Sequence, residues 1–275
     1  GKMATEYTIA STGAILDAEK RDYALDLLAK FGLPEKLHCE IVQPGTELGA
    51  LLPAIEEETG NTDAHVIKVA SHDTASAVLA VPAVDDGFCY ISSGTWSLMG
   101  IESKTPVIND QTLKYDFTNE GGVGGTTRFL TNIMGSWLFQ ETRRVWNESG
   151  KNFSFADLEN MALDADFCSF FINPNDAGFA TPGDMPKRIA DFCERTGQGR
   201  PDCDTEIVRA IYDSLALYFK CKLETLAAVR KDSYSCLNIV GGGINNKMLD
   251  QMAADSLNRP VITGPVEGAA IGNLL

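Results

Sequence analysis

The C-terminal third of the chain constrains its fold most, because runs with a strand period and runs with a helix period alternate there without interruption. Thr205 to Arg230 reads as one long helix, Cys236 to Val240 as a short apolar strand, and Gly241-Gly242-Gly243 as a tight connection. A helix from Asn246 to Leu257, a strand Val261 to Thr263 and a final helical segment complete the pattern. Strands separated by helices must bury both faces of a sheet, so the expected class is α/β.

Upstream the signals are shorter. Gly87 to Ser92 and Ser97 to Ile101 read as two strands joined by a turn at Ser93-Gly94-Thr95-Trp96. Asn119 to Gly125 is a glycine-rich loop, with a strand at 128–130 and a helix over 132–146 expected after it. An acidic helix start is predicted at Asp17 to Asp22, with Tyr23, Leu27, Leu28 and Phe31 on one face and Gly32 and Pro34 as the stop. Leu48 to Gly60 is read as a turn and short helix, and His65 to Ala70 as a short buried strand. Residues 150–203, interrupted by several Gly and Pro, are read as an irregular insertion.

A formal charge of -15 sets a field that repels phosphate at long range, which argues against nucleic acid or an anionic membrane as partner. A phosphorylated ligand then needs a local site of main-chain N–H groups and hydroxyls. The cysteines number seven, are scattered and form no CxxC pair, as expected of free thiols in a reducing cytoplasm. The three histidines share no metal-ligand spacing with them. The most continuous apolar stretch, around Ala75 to Val84, is far too short to span a bilayer.

Three segments have the chemistry that phosphoryl transfer needs: a carboxylate near the acceptor hydroxyl, donors for phosphate oxygens and a nucleotide pocket. Asp73 follows the strand-like run at a change to helical spacing, with His72 and Thr74 beside it to bond a polyol. A second reading of Asp73 is a helix cap satisfying the N–H of Ala75 or Ser76. Ser92-Ser93-Gly94-Thr95 offers N–H groups and hydroxyls to phosphate, or is a plain hairpin. The glycines 241–243 let a nucleoside lie against bare main chain, or simply make a tight bend.

Taken together, His72-Asp-Thr-Ala-Ser-Ala-Val78, Ile91-Ser-Ser-Gly-Thr-Trp-Ser-Leu-Met-Gly100, Thr118-Asn-Glu-Gly-Gly122, Asn132-Ile-Met-Gly135, Phe171-Ile-Asn-Pro-Asn-Asp176 and Ile239-Val-Gly-Gly-Gly243 resemble the FGGY family of carbohydrate kinases, in its rhamnulokinase branch. The resemblance runs the length of the chain. It implies an actin-like, ribonuclease-H-like α/β fold of two domains, sugar and nucleotide meeting in the cleft between them, and transfer of phosphate from ATP, with Mg²⁺, to O1 of the ketose L-rhamnulose.

Carried onto matching positions, the resemblance makes Asp73 the general base at the sugar O1, with His72, Thr74 and Asn132 as sugar contacts. Thr95 and Gln140 become nucleotide contacts and Gly242 the central glycine of the adenosine site. Residues 1–82 are then expected to belong to a sugar-binding domain and 83–275 to the nucleotide-binding domain. The Asp-x-Gly strand pair with which these kinases begin is not found ahead of Asp73. The resemblance thus implies further chain ahead and a shorter tail behind, with weak ATP binding and no turnover by these residues alone. Other ketoses, such as L-fuculose or D-xylulose, and a non-catalytic binding module of the same fold are the alternatives.

Overall fold

The computed structural model describes residues 2–84 and 87–275. Packing divides the chain into two compact units: 1–87, 100–130 and 267–275 form the first, 88–99 and 131–266 the second. The chain thus crosses between units after residues 87, 99, 130 and 266, where sequence analysis places a single boundary after residue 82.

The second unit is a sheet with helices packed on it. Its strands lie in the order Val261–Thr263, Leu237–Val240, Cys89–Ser93, the start of Trp96–Ser103 and the end of Thr127–Met134. Leu237–Val240 runs parallel to both neighbours, with Leu237 opposite Val261 on one side and Cys89 on the other. All four of its residues are buried, as expected of a strand enclosed on both sides. The helix Asp204–Arg230 opens on Asp204 and Glu206, which complement the positive end of its dipole, and ends at Lys231 in the left-handed conformation. It buries Ile207, Ile211, Leu215, Phe219, Leu223 and Leu226, and the helix Lys247–Leu257 packs against it. These C-terminal elements lie where their periodicity put them.

Residues 150–203 are more regular than their Gly and Pro content suggests. Phe155–Asp164 is a helix opened by a reciprocal Ser154–Asp157 capping box, and Met185–Arg195 is a helix capped by Asp184 with proline in its first turn. The helix expected over 132–146 runs instead from Trp137 to Glu148. Asn132 stays in the strand, which ends just before Gly135, where a Cβ would stand 2.3 Å from Ser97 Oγ.

Asp250 lies in the first turn of the helix Lys247–Leu257 and is 9 % exposed. Burial pushes its carboxyl up to about 6, with Lys247 offsetting this in part. A folded-state value above the unfolded one means that the native chain holds this proton longer. Stability therefore falls as pH rises from about 4 to about 6 and stays lowered above that. Asp250→Asn is expected to stabilise the fold by on the order of 2 kcal/mol at pH 8 and by much less at pH 4. Thermal unfolding at the two pH values measures this, and an equal gain at both contradicts it.

The first unit is built from small paired elements. Thr5–Glu6 runs parallel to Ile41–Val42, and Thr118–Gly121 pairs antiparallel with Thr127–Leu130. The helix start expected at Asp17 is instead a hairpin, Leu16–Asp17 against Asp22–Tyr23. Asp17 Oδ1 accepts from the N–H groups of Glu19 and Lys20, Arg21 turns at φ 58°, and the helix is confined to Leu25–Lys30. The strand at His65–Ile67 exists, paired with Glu47–Ala50, but its residues are exposed rather than buried.

The helix Asp73–Leu79 packs on Gly268–Gly272 at backbone distance. A Cβ on Gly272 would lie 1.8 Å from Ser76 O, so only glycine permits the approach. Ser76 Oγ donates to Ala70 O at 2.8 Å and lies 2.7 Å from the Asn273 side-chain amide. These contacts fix the helix at whose start the candidate carboxylate stands.

Candidate active site

In the first unit, residues 71–74 are held by a buried network that starts at Glu6. Glu6 is 1 % exposed; its Oε2 accepts from Ser71 N at 2.9 Å and from Thr8 Oγ1 at 2.6 Å, and Thr8 Oγ1 in turn accepts from His72 N at 3.1 Å. The backbone entering the helix is therefore anchored before Asp73 is reached. Asp73 Oδ1 accepts from Thr74 N at 2.7 Å. The N–H groups of Ala75 and Ser76 donate to His72 O instead, at 2.8 and 3.3 Å, so the cap alternative for Asp73 does not describe its contacts. Its side chain is 84 % exposed. A solvated carboxylate on a rigid helix end can accept a proton from a bound hydroxyl. Thr74 is buried, so its place is chiefly within the helix.

The His72 ring is boxed in by two charged residues that sequence reading did not single out. Its Nδ1 is 2.8 Å from Arg128 Nη2 and 3.4 Å from Glu120 Oε2, and its Nε2 is 3.6 Å from Asp73 Oδ1. Arg128 is fully buried, donates from Nε to Gly121 O at 2.8 Å, and sits 3.1 Å from Glu120 Oε2 through Nη2. Burial pushes the Glu120 carboxyl up, and the polar groups around it, the Arg128 charge at 3.1 Å among them, outweigh this and hold it below the usual carboxylate range. The available signal was an arginine inside the otherwise uncharged strand Thr127–Met134, because a buried arginine needs partners.

In the second unit, a cavity of about 490 Å³ is lined by Thr95, Gln140, Tyr212, Gly242 and Asn245 among others. Its volume is in the range of small-molecule sites. Three residues expected to contact nucleotide, Thr95, Gln140 and Gly242, line this one cavity, and Thr95 Oγ1 lies 3.4 Å from Gln140 Oε1. Its described lining includes neither lysine nor arginine, leaving hydroxyl, amide and main-chain groups, with the Glu159 carboxylate, to meet a ligand. Burial pushes the Tyr212 phenol up to about 12, a hydrogen bond with Asn246 offsetting part of the effect, so it stays a neutral donor.

The glycine triplet divides its work by position. Gly241 has φ 91° and a Cβ there would stand 2.7 Å from Ser93 O; a Cβ on Gly243 would meet Ser93 Oγ at 1.9 Å and Ser93 Cβ at 2.5 Å. These two let the bend close on the Ser93–Gly94 hairpin. Gly242 has nothing within 4 Å of a Cβ and borders the cavity. Asn132 is exposed on its strand. The main chain around it is fixed by Asn175, whose Nδ2 donates to Asn132 O at 2.7 Å and whose Oδ1 accepts from Met134 N at 2.9 Å.

No cluster of three or more His, Cys, Asp or Glu poised for a metal occurs among the described residues. No helix among them is long and apolar enough to cross a membrane, and all seven cysteines are free thiols.

The sequence model described as the C-terminal domain of the FGGY family of carbohydrate kinases matches residues 89–275, and the chain belongs to that family. Among curated relatives it is 44 % identical to a rhamnulokinase of Bacteroides thetaiotaomicron, covering 100 % of this chain and 56 % of that protein. It is 42 % identical to a rhamnulokinase of Enterococcus faecalis, with the same shares. The chain thus spans little more than half the length of these relatives.

Solved structures of xylulose kinase from Lactobacillus acidophilus (16 % identity, TM-score 0.72, 99 % of this chain and 55 % of that one) and of Plasmodium falciparum glycerol kinase with ADP (15 %, 0.72, 99 % and 54 %) share the fold. The α/β architecture is accordingly the actin-like, ribonuclease-H-like one of sugar kinases.

Proposed function

We propose that the protein phosphorylates L-rhamnulose at O1, taking the phosphoryl group from ATP. The observation that carries this reading is the Asp73 carboxylate, solvent-facing at the start of a helix braced through Gly272 and Ser76 and flanked by an oriented His72. The identity to rhamnulokinases over the whole chain supports the choice of sugar.

In this reading Asp73 accepts the proton of the sugar O1 as that oxygen attacks the γ-phosphorus and ADP leaves, and His72 and Asn132 bind the other hydroxyls, the buried Thr74 supporting them from within the helix. Thr95 contacts the phosphates, Gln140 makes a further contact with the nucleotide, and the open face at Gly242 receives the adenosine. A Mg²⁺ ion, held mainly by phosphate oxygens and water as is usual for this ion, would neutralise charge on the transferring group. We assign residues 1–82 to the sugar-binding domain and 83–275 to the nucleotide-binding domain, and place the protein in the cytoplasm, in keeping with its unpaired thiols.

The test is ATP consumption by the full-length gene product on a panel of ketoses. L-rhamnulose is expected to give the highest kcat/KM. A higher value with L-fuculose or D-xylulose moves the assignment to another ketose, and nucleotide binding without turnover on any sugar overturns catalysis altogether.

A further inference from the structure

We infer that Arg128 is a positioning residue, which locks the His72 ring as the tautomer with a bare Nδ1 and a protonated Nε2 turned toward Asp73. The inference deepens the kinase reading and rests on it for its catalytic consequence, although the ring assignment stands on contacts alone.

A guanidinium carries only donors and does not deprotonate in a protein. Arg128 Nη2 lies 2.8 Å from His72 Nδ1, and a hydrogen bond of that length requires Nδ1 to accept. Nδ1 therefore carries no proton, and the neutral ring holds its hydrogen on Nε2. Nε2 is the ring atom near the candidate base, 3.6 Å from Asp73 Oδ1. Without Arg128 the ring would face Glu120 Oε2, 3.4 Å from Nδ1, and a carboxylate there favours the opposite tautomer. The guanidinium stands against this choice by donating to the ring while lying 3.1 Å from the same carboxylate oxygen.

Arg128 is a poor choice if its task is stability alone. It is fully buried, its Nη1 has no hydrogen-bond partner among the described residues, and Glu120 Oε2 likewise lacks a well-aligned donor. A buried ion pair with donors left over is seldom better for stability than apolar residues of similar volume. The strand that carries it buries Phe129, Leu130 and Ile133 without difficulty. What the guanidinium supplies and an apolar side chain cannot is a fixed direction for the imidazole. An Nε2–H so directed donates to an oxygen beside Asp73 and leaves the carboxylate free to take the reacting proton.

The decisive measurement is the tautomer of His72 in the full-length gene product, read by long-range ¹H–¹⁵N NMR with ¹⁵N-histidine and assigned by the signals lost in His72→Asn. The wild type is expected to show Nδ1 unprotonated and Nε2 protonated at neutral pH. A proton on Nδ1, or a doubly protonated ring, overturns the inference without any change at Arg128. Arg128→Met is expected to move the proton toward Nδ1 and to lower kcat by about tenfold to a hundredfold, with KM for ATP unchanged. Arg128→Lys, which keeps a donor, is expected to recover part of both effects. An Arg128→Met protein that folds with an unchanged tautomer or an unchanged kcat also overturns the inference. If neither variant folds, the wild-type spectrum decides. A wild type with the expected ring but no activity on any ketose sinks the kinase reading and leaves the ring assignment standing.

Discussion

Asp73→Asn is expected to lower kcat for sugar phosphorylation by about 10²- to 10⁴-fold, the usual contribution of a general base, and to leave ATP affinity within about twofold. The substitution is close to isosteric, and the amide oxygen can still accept from Thr74 N, the one contact recorded for the carboxylate within its helix. With the side chain 84 % exposed there is no packing to lose. The N–H groups of Ala75 and Ser76 are satisfied by His72 O and do not depend on this side chain. Basicity at one position is all that changes. Steady-state kinetics on the full-length gene product, with nucleotide affinity from calorimetry, measure both quantities. An unchanged kcat removes Asp73 from the chemistry, and a matching loss of ATP affinity shows that the fold was disturbed.

The second large effect is a contrast among three adjacent glycines. Gly243→Ala and Gly241→Ala each drive a Cβ into Ser93, the first at 1.9 Å from Oγ and 2.5 Å from Cβ, the second at 2.7 Å from the carbonyl oxygen. The Ser93 hydroxyl can rotate away, but its Cβ and main chain cannot without shifting a buried strand. Overpacking of this kind, with backbone strain added at Gly241 where φ is 91°, is expected to destabilise by about 2–4 kcal/mol. Gly242→Ala meets nothing within 4 Å, so it should keep the wild-type melting temperature and instead narrow the cavity, weakening ATP by about tenfold. Melting curves and calorimetry on the three variants separate the two behaviours. Equal melting temperatures for all three contradict the division of roles, as does undiminished ATP affinity in Gly242→Ala.

What could be read from the sequence follows from where the determining contacts lie along the chain. Asp204–Arg230, Leu237–Val240 and Val261–Thr263 were legible because burial on a helical face or in an enclosed strand writes itself as a local period. Asp17 was misread because an acceptor that caps a helix and one that closes an Asx turn use the same short side chain, and the left-handed Arg21 that separates the cases leaves no compositional trace. The two helices within 150–203 carry ordinary caps, Ser154 with Asp157 and Asp184 ahead of Pro186, hidden among the glycines that connect them. The individual residues Asp73, His72 and Gly242 could be named from motifs. The arginine and glutamate that hold His72 could not, since their meeting spans 48 to 56 positions and depends on an antiparallel pair of strands.

The backbone contact between Gly272 and Ser76 links two points far apart in the chain. A side chain added at residue 272 must displace the carbonyl of residue 76, and the helix so pushed has Asp73 as its first residue. A mutational survey that sorted positions by distance along the sequence from the reacting group would file residue 272 among remote, inert sites. Its mechanical leverage on the proposed base makes it a place where a small methyl group is expected to detune catalysis.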